Sequence, residues 1–167
     1  MMELLVSRTA SPLGEIVTVH AGTAMCALGF ADHWDRLRGD LQRRIPAATF
    51  LEGPCPQTTR DALEAYFAGD LDALADVELH LVGTPFQRSV WETLRTIAPG
   101  ATASYGELAA RVGRPHAARA IGAANGANPI SLVVPCHRVI RSDGSLCGYG
   151  GGTDRKRWLL AHESTQA

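Results

Sequence analysis

The hydrophobic period changes along this chain. Near the start, "EIVTVHA" sets Ile16, Val17 and Val19 among polar residues, which predicts a strand entered through the turn "SPLG". "AMCALGFA" predicts a second strand. The period then lengthens: in "HWDRLRGDLQRRI", Trp34, Leu37, Leu41 and Ile45 recur at spacings of three and four, a helical stripe. Pro54 and Pro56 mark "FLEGPCPQ" as loop. "TTRDALEAYFAGD" predicts a helix that Thr58 or Thr59 caps and Gly69 ends. "DVELHLVG" alternates as a strand. These elements predict a small α/β unit over residues 1–83.

From Thr84 onwards the pattern is mainly helical. "TPFQRSVWETLRTIAPG" offers Thr84 as N-cap, Pro85 at the first helical position, and an apolar stripe of Phe86, Val90, Leu94 and Ile97 that Pro99-Gly100 stops. "SYGELAARVG" and "HAARAIGAANGA" predict two short helices around a turn at Gly113 to Pro115, a helix-turn-helix pattern. Residues 84–167 are therefore expected to form a second domain, and the fold class is α+β. No repeats or low-complexity tracts interrupt either half.

Composition bounds this picture. A chain of 167 residues, 46% hydrophobic and 20% charged, can bury a core. No apolar run approaches a membrane span, and the start has too short an apolar stretch for a signal peptide. Both features place the protein in the cytoplasm. Cys26, Cys55, Cys136 and Cys147 form no C-x-x-C pair and read as reduced thiols, with no convincing metal spacing. Charge divides the halves. Residues 1–83 carry six Arg against twelve acids, a net of −6, while residues 84–167 carry nine Arg and one Lys against five acids, a net of +5. A basic half points to a polyanionic partner; chance asymmetry between two solvated surfaces is the plain alternative.

Two stretches carry candidate chemistry. "HAARAIGAANGANPI" is rich in Ala and Gly and offers almost no side-chain bulk, with Arg119 as the long side chain of its interior. Such a helix either packs closely on its neighbours or brings its backbone against a ligand. In "LVVPCHRVI", Cys136 and His137 end the apolar run "ISLVV". A lone cysteine is usually an inert small hydrophobe. Beside a histidine it becomes a candidate nucleophile. Neighbouring side chains on extended backbone face opposite ways, so adjacency does not by itself make a pair.

"PCHRVI", "GYGGGTDRKRWLLAHE", "SYGELA", "RAIGAANGANP" and "FQRSVWETL" together resemble the O6-alkylguanine-DNA alkyltransferases, also called methylated-DNA–protein-cysteine methyltransferases. The resemblance is continuous over residues 84–163; "SPLG" and "YFAGDL" extend it weakly into the first half. It implies a ribonuclease-H-like first domain and a helical second domain. It also implies direct, irreversible, stoichiometric transfer of an alkyl group from O6-alkylguanine or O4-alkylthymine to Cys136. By the same resemblance, His137 withdraws the thiol proton through a water, Glu163 holds that histidine, Asn128 steadies the cysteine loop, and Tyr105 contacts base and phosphate. Arg119 fills the gap left by the flipped base. Ala117, Ala118, Gly122, Ala123, Asn125 and Gly126 accompany it on the DNA side, and Val139, Tyr149, Gly150, Gly151 and Lys156 line the base pocket. The implied partner is duplex DNA bound through the minor groove by a monomer, with no cofactor and no metal.

The residue types suit that chemistry. Displacement at an alkyl carbon needs a soft nucleophile, and a histidine backed by a carboxylate is expected to lower the thiol pKa. A base inside a duplex must be flipped out to be reached. The chain departs from the family where Ala98 precedes Pro99, and where Cys147 replaces a more usual polar residue; Cys147 is either a second reactive thiol or a passive small residue. The ligand pattern of zinc-binding relatives is missing. Two other functions compete. Non-transferring lesion binders carry tryptophan at the acceptor position, which Cys136 opposes. A cysteine hydrolase using Cys136, His137 and Glu163 would turn over repeatedly.

Overall fold

Strand β1 (Met2–Thr9), where the hydrophobic pattern predicts no element, lies inside a four-stranded sheet. This architecture comes from a computed structural model that describes residues 1–146 and 149–166. The strand order is β3-β2-β1-β4, with β2 (Ile16–Ala21) and β3 (Ala24–Phe30) forming an antiparallel hairpin. β1 is antiparallel to β2 and parallel to β4 (Ala48–Glu52). Leu4 and Val6 are buried, but Ser7 also points inward and shares a 2.7 Å hydrogen bond with Thr18. That satisfied polar residue, with the apolar Leu5 beside it, hides the alternation that would announce a strand.

The sheet is covered on both faces. Helix α1 (Trp34–Arg44) follows a short 3-10 turn, and its stripe packs Trp34, Leu37 and Leu41, with Ile45 just beyond, against Leu4, Val6, Val17, Val19 and Cys26. The opposite face bears Thr18 and His20; the His20 ring bonds Thr59 of α2 (Gln57–Phe67) at 2.9 Å. Thr59 is thus a core contact, and Pro56 occupies the N-cap without a side-chain bond, correcting the expected threonine cap. Gly69 does end α2, with φ +114. Phe50 to Glu52, expected as loop, form the edge strand β4; paired on one side only, it needs no buried alternation. "DVELHLVG" makes a single parallel bridge, Leu79 to Met25, rather than a strand.

The chain divides into two compact units, Met1–Val82 and Gly83–Ala167. In the second, Thr84 caps α3 (Pro85–Leu94) in a capping box with Gln87. α3 stops at Leu94, earlier than its stripe predicts, although Ile97 remains buried. Ala98 to Ala101 then form a turn closed by a 3.0 Å hydrogen bond, with Pro99 second and Gly100 third at φ +85. The departure at Ala98 therefore builds a type II turn. Trp91 is wholly buried and donates its indole N–H to the Ala124 carbonyl at 2.9 Å, joining α3 to α5 (Ala118–Gly126). Gly83 packs on that indole, so a Cβ there would lie 2.5 Å from the ring.

Strand β5 (Ala103–Ser104) leads into α4 (Tyr105–Arg111), capped by Ser104, which accepts from the Glu107 N–H. β5 pairs in parallel with β6 (Val139–Ile140), Ala103 opposite Val139. α4 and α5 flank the turn containing Gly113, at φ +82. The C-terminal helix α6 (Thr153–Gln166) closes the unit and has no counterpart in the predicted elements. The whole is α+β, a sheet unit followed by a mainly helical unit. No helix among the described residues is long and apolar enough to cross a membrane.

Candidate active site

Cys136, His137 and Arg138 make one 3-10 turn between Pro135 and β6. All three are buried. The loop before them is held by Asn128, which donates to the Val134 carbonyl and accepts from the Ile130 N–H, both at 2.9 Å. Within it Leu132 has φ +70, the single positive φ of a non-glycine residue among the described residues. A branched residue in that region is strained, so the Asn128 bonds and the burial of Leu132 must hold it there. The Cys136 N–H bonds the Val134 carbonyl at 2.8 Å, which fixes the start of the turn.

Glu163, on α6, is the centre of the arrangement. Its carboxylate lies 2.9 Å from His137 Nε2. It also accepts two bonds from Arg138, Nε to Oε1 at 2.9 Å and Nη2 to Oε2 at 2.8 Å. Arg138 Nη1 reaches the Ile97 carbonyl at 2.6 Å. Burial alone would raise the Glu163 pKa; the bonds and charges of Arg138 and His137 outweigh it and hold the carboxyl well below its usual range. An ionised carboxylate only accepts, so His137 donates from Nε2 and keeps its lone pair on Nδ1. Nδ1 is buried and has no hydrogen-bond partner among the described residues.

Burial also sets the state of the other two groups. It pushes the His137 pKa down, assisted by the Arg138 and Lys156 charges and opposed by Glu163. His137 is therefore a neutral base near neutral pH. Burial pushes the Cys136 thiol up, against the Asn128 side chain and the Lys156 charge. The expectation of a lowered thiol pKa is thus corrected: desolvation dominates, and the resting group is a neutral thiol. Lys156 on α6 is itself buried and donates to the Val139 carbonyl at 2.6 Å. Tyr149 sets its ring edge-on to His137, with centroids 6.4 Å apart, and burial raises its hydroxyl pKa.

The structure thus gathers Cys136, His137, Glu163, Asn128, Lys156, Val139 and Tyr149 around one loop and α6. Gly151 is buried beside them and Gly150 is exposed. Tyr105 opens α4 directly after the β5–β6 pair, and its ring lies 3.7 Å from where a Gly122 Cβ would stand. On α5, Ala118, Arg119, Ala123 and Gly126 are exposed, and Ala117 and Gly122 are half-buried. Asn125, expected on that outer face, is 3% exposed. It follows Ile121 by four residues, so the helical period turns it inward with Ile121 and Ala124. Arg138 was missed. Its signal was a guanidinium inside the apolar run "VVPCHRVI", which demands a buried partner. Cys147 lies outside the described residues; Cys26, Cys55 and Cys136 are free thiols. Among the described residues, no cluster of His, Cys, Asp and Glu could hold a metal ion.

Residues 85–165 match the family described as 6-O-methylguanine DNA methyltransferase, DNA binding domain. The chain is 46% identical over 166 residues to a methylated-DNA–protein-cysteine methyltransferase of Salmonella typhimurium, covering 98% of this chain and 97% of that protein. A Mycobacterium tuberculosis protein of the same name is 59% identical over 107 residues, 64% of each chain. The crystal structure of Mycobacterium tuberculosis O6-methylguanine methyltransferase superposes with a TM-score of 0.83 at 41% identity, covering 98% of this chain and 94% of that one. The structure of the M. tuberculosis OGT in complex with DNA gives the same TM-score.

The neutral resting thiol is open to direct measurement. Ultraviolet difference absorbance between the chain and its Cys136→Ser variant reads the thiolate. The expected band is absent at neutral pH and grows only above the free-thiol range, roughly pH 8.5. A full thiolate band at neutral pH contradicts it.

Proposed function

This chain belongs to the methylated-DNA–protein-cysteine methyltransferase family, and on that premise we propose that it repairs DNA by taking the alkyl group of O6-alkylguanine, and of O4-alkylthymine, onto Cys136 once per molecule. One observation carries the reading: a buried thiol and a neutral histidine with an unshared Nδ1 lone pair occupy one turn, backed by an ionised carboxylate. In the proposed reaction the thiol proton passes through a water to His137. Sγ then attacks the alkyl carbon, the Sγ–C bond forms and the bond from carbon to O6 breaks. The electron pair stays on guanine, which takes up a proton at N1 while the His137 imidazolium gives its proton back, so one proton has passed in all from the thiol to the base. Nothing in this sequence regenerates the thiol, because that would require a nucleophile to displace a thiolate, a poor leaving group, from an unactivated alkyl carbon.

Tyr105 and the Lys156 charge are suited to the anion that develops on the base. The small exposed face of α5 suits the minor groove, with Arg119 entering the stack as the base flips out. The net +5 of residues 84–167 favours the phosphate backbone. In this reading the first unit is a scaffold, and the protein acts as a cytoplasmic monomer on duplex DNA.

With excess O6-methylguanine duplex, repair is expected to plateau at one lesion per active molecule, with one methyl group on the peptide containing Cys136. Cys136→Ala should abolish it. Continued turnover would instead mark a hydrolase, and methyl on another cysteine would overturn the assignment.

Arg119 has its own test. Filling the vacated stack recovers part of a flipping cost of a few kcal/mol. Arg119→Ala should therefore lower the ratio of duplex repair to reaction with free O6-benzylguanine by about tenfold or more. A ratio restored in full by saturating DNA would show a plain phosphate contact.

A further inference from the structure

Arg138 is placed to do more than balance a buried charge. Its guanidinium spans both Glu163 oxygens, at 2.9 and 2.8 Å, and shares Oε2 with His137. The third arm is tied to the Ile97 carbonyl, so the fork cannot rotate without breaking a second contact. Cys136, His137 and Arg138 are consecutive in one rigid turn. The carboxylate that orients the base is therefore itself oriented from the residue next to the base.

We propose that Arg138 is a positioning residue for alkyl transfer: it locks Glu163 as an anion in the one orientation that leaves the His137 lone pair on Nδ1. The proposal rests on the reading of Cys136 as the alkyl acceptor. The groups acting on His137 are Glu163 and Lys156 from α6 and Arg138 from its own turn, with Tyr149 edge-on; Cys136 precedes it in that turn. Without Arg138 the buried Glu163–His137 pair carries a net negative charge and binds a proton more readily. That proton disables the base wherever it settles. On imidazole it removes the lone pair; on the carboxyl it makes Glu163 the donor to Nε2 and moves the ring hydrogen to Nδ1. The pair titrates as a unit, so the loss appears as one acid limb in the pH–rate profile.

The charge and the fork can be separated. Lysine keeps the charge but cannot span two carboxylate oxygens, whereas methionine keeps only bulk. Single-turnover transfer to Cys136 from O6-methylguanine duplex should be followed from acid to mildly alkaline pH in the full chain. For Arg138→Met, the acid limb should move up by about one pH unit or more, with a neutral-pH rate at least about tenfold lower. Arg138→Lys should return the limb near its original position while the plateau stays low. A Met variant with an unmoved limb overturns the proposal, as does a Lys variant with the original plateau. If Arg138→Met does not fold, the Lys plateau alone decides. Failure of the unaltered chain to methylate Cys136 refutes the acceptor assignment instead, so the two failures are distinguishable.

Discussion

A single buried carboxylate organises this site. Glu163 is withdrawn from water, and an unpaired charge there would be prohibitive. The Arg138 fork and the His137 ring compensate it, and in doing so they fasten α6 to the Cys136 turn and to the segment after α3. Removing one partner of such a buried pair typically costs about 3–5 kcal/mol. The network therefore fixes the fold of the second unit and the chemistry of its histidine by the same bonds. Specific orientation, rather than stability, is what an apolar replacement could not supply.

The same burial keeps the reactive groups uncharged at rest. A thiol raised by desolvation and a histidine lowered by it coexist without forming an ion pair. In the proposed reaction, charge separates only once an electrophilic carbon meets the thiol. In the proposed single-turnover reaction this arrangement is protective, since a free thiolate would be consumed by any passing oxidant or electrophile. The Asn128 bonds fasten the loop that leads into Cys136, with the strained Leu132 inside it.

Local chemistry was legible in the sequence where it acts over a few residues. The Thr84 cap and the Gly69 stop are single residues at helix ends, and the stripe of α1 appears as spacings of three and four. β1 was hidden because Ser7 is buried and satisfied by Thr18, a partner eleven residues away. β4 is an edge with little to bury, so its pattern carries no period. At the site, the motif around Cys136 and His137 was visible, while their roles and that of Glu163 came from family resemblance. Arg138 escaped because its partner lies 25 residues onward, and no spacing rule connects them. The misplacement of Asn125 was avoidable, since the helical period already sets it beneath Ile121.

Nitrogen-15 NMR of the His137 ring tests the account most directly. It predicts a neutral imidazole at neutral pH, with hydrogen on Nε2 and an unprotonated Nδ1, and a change of tautomer or loss of its preference in Glu163→Gln. A doubly protonated ring at neutral pH, or hydrogen resident on Nδ1 in the unaltered chain, would contradict the claim that Glu163 holds His137 ready to take the thiol proton.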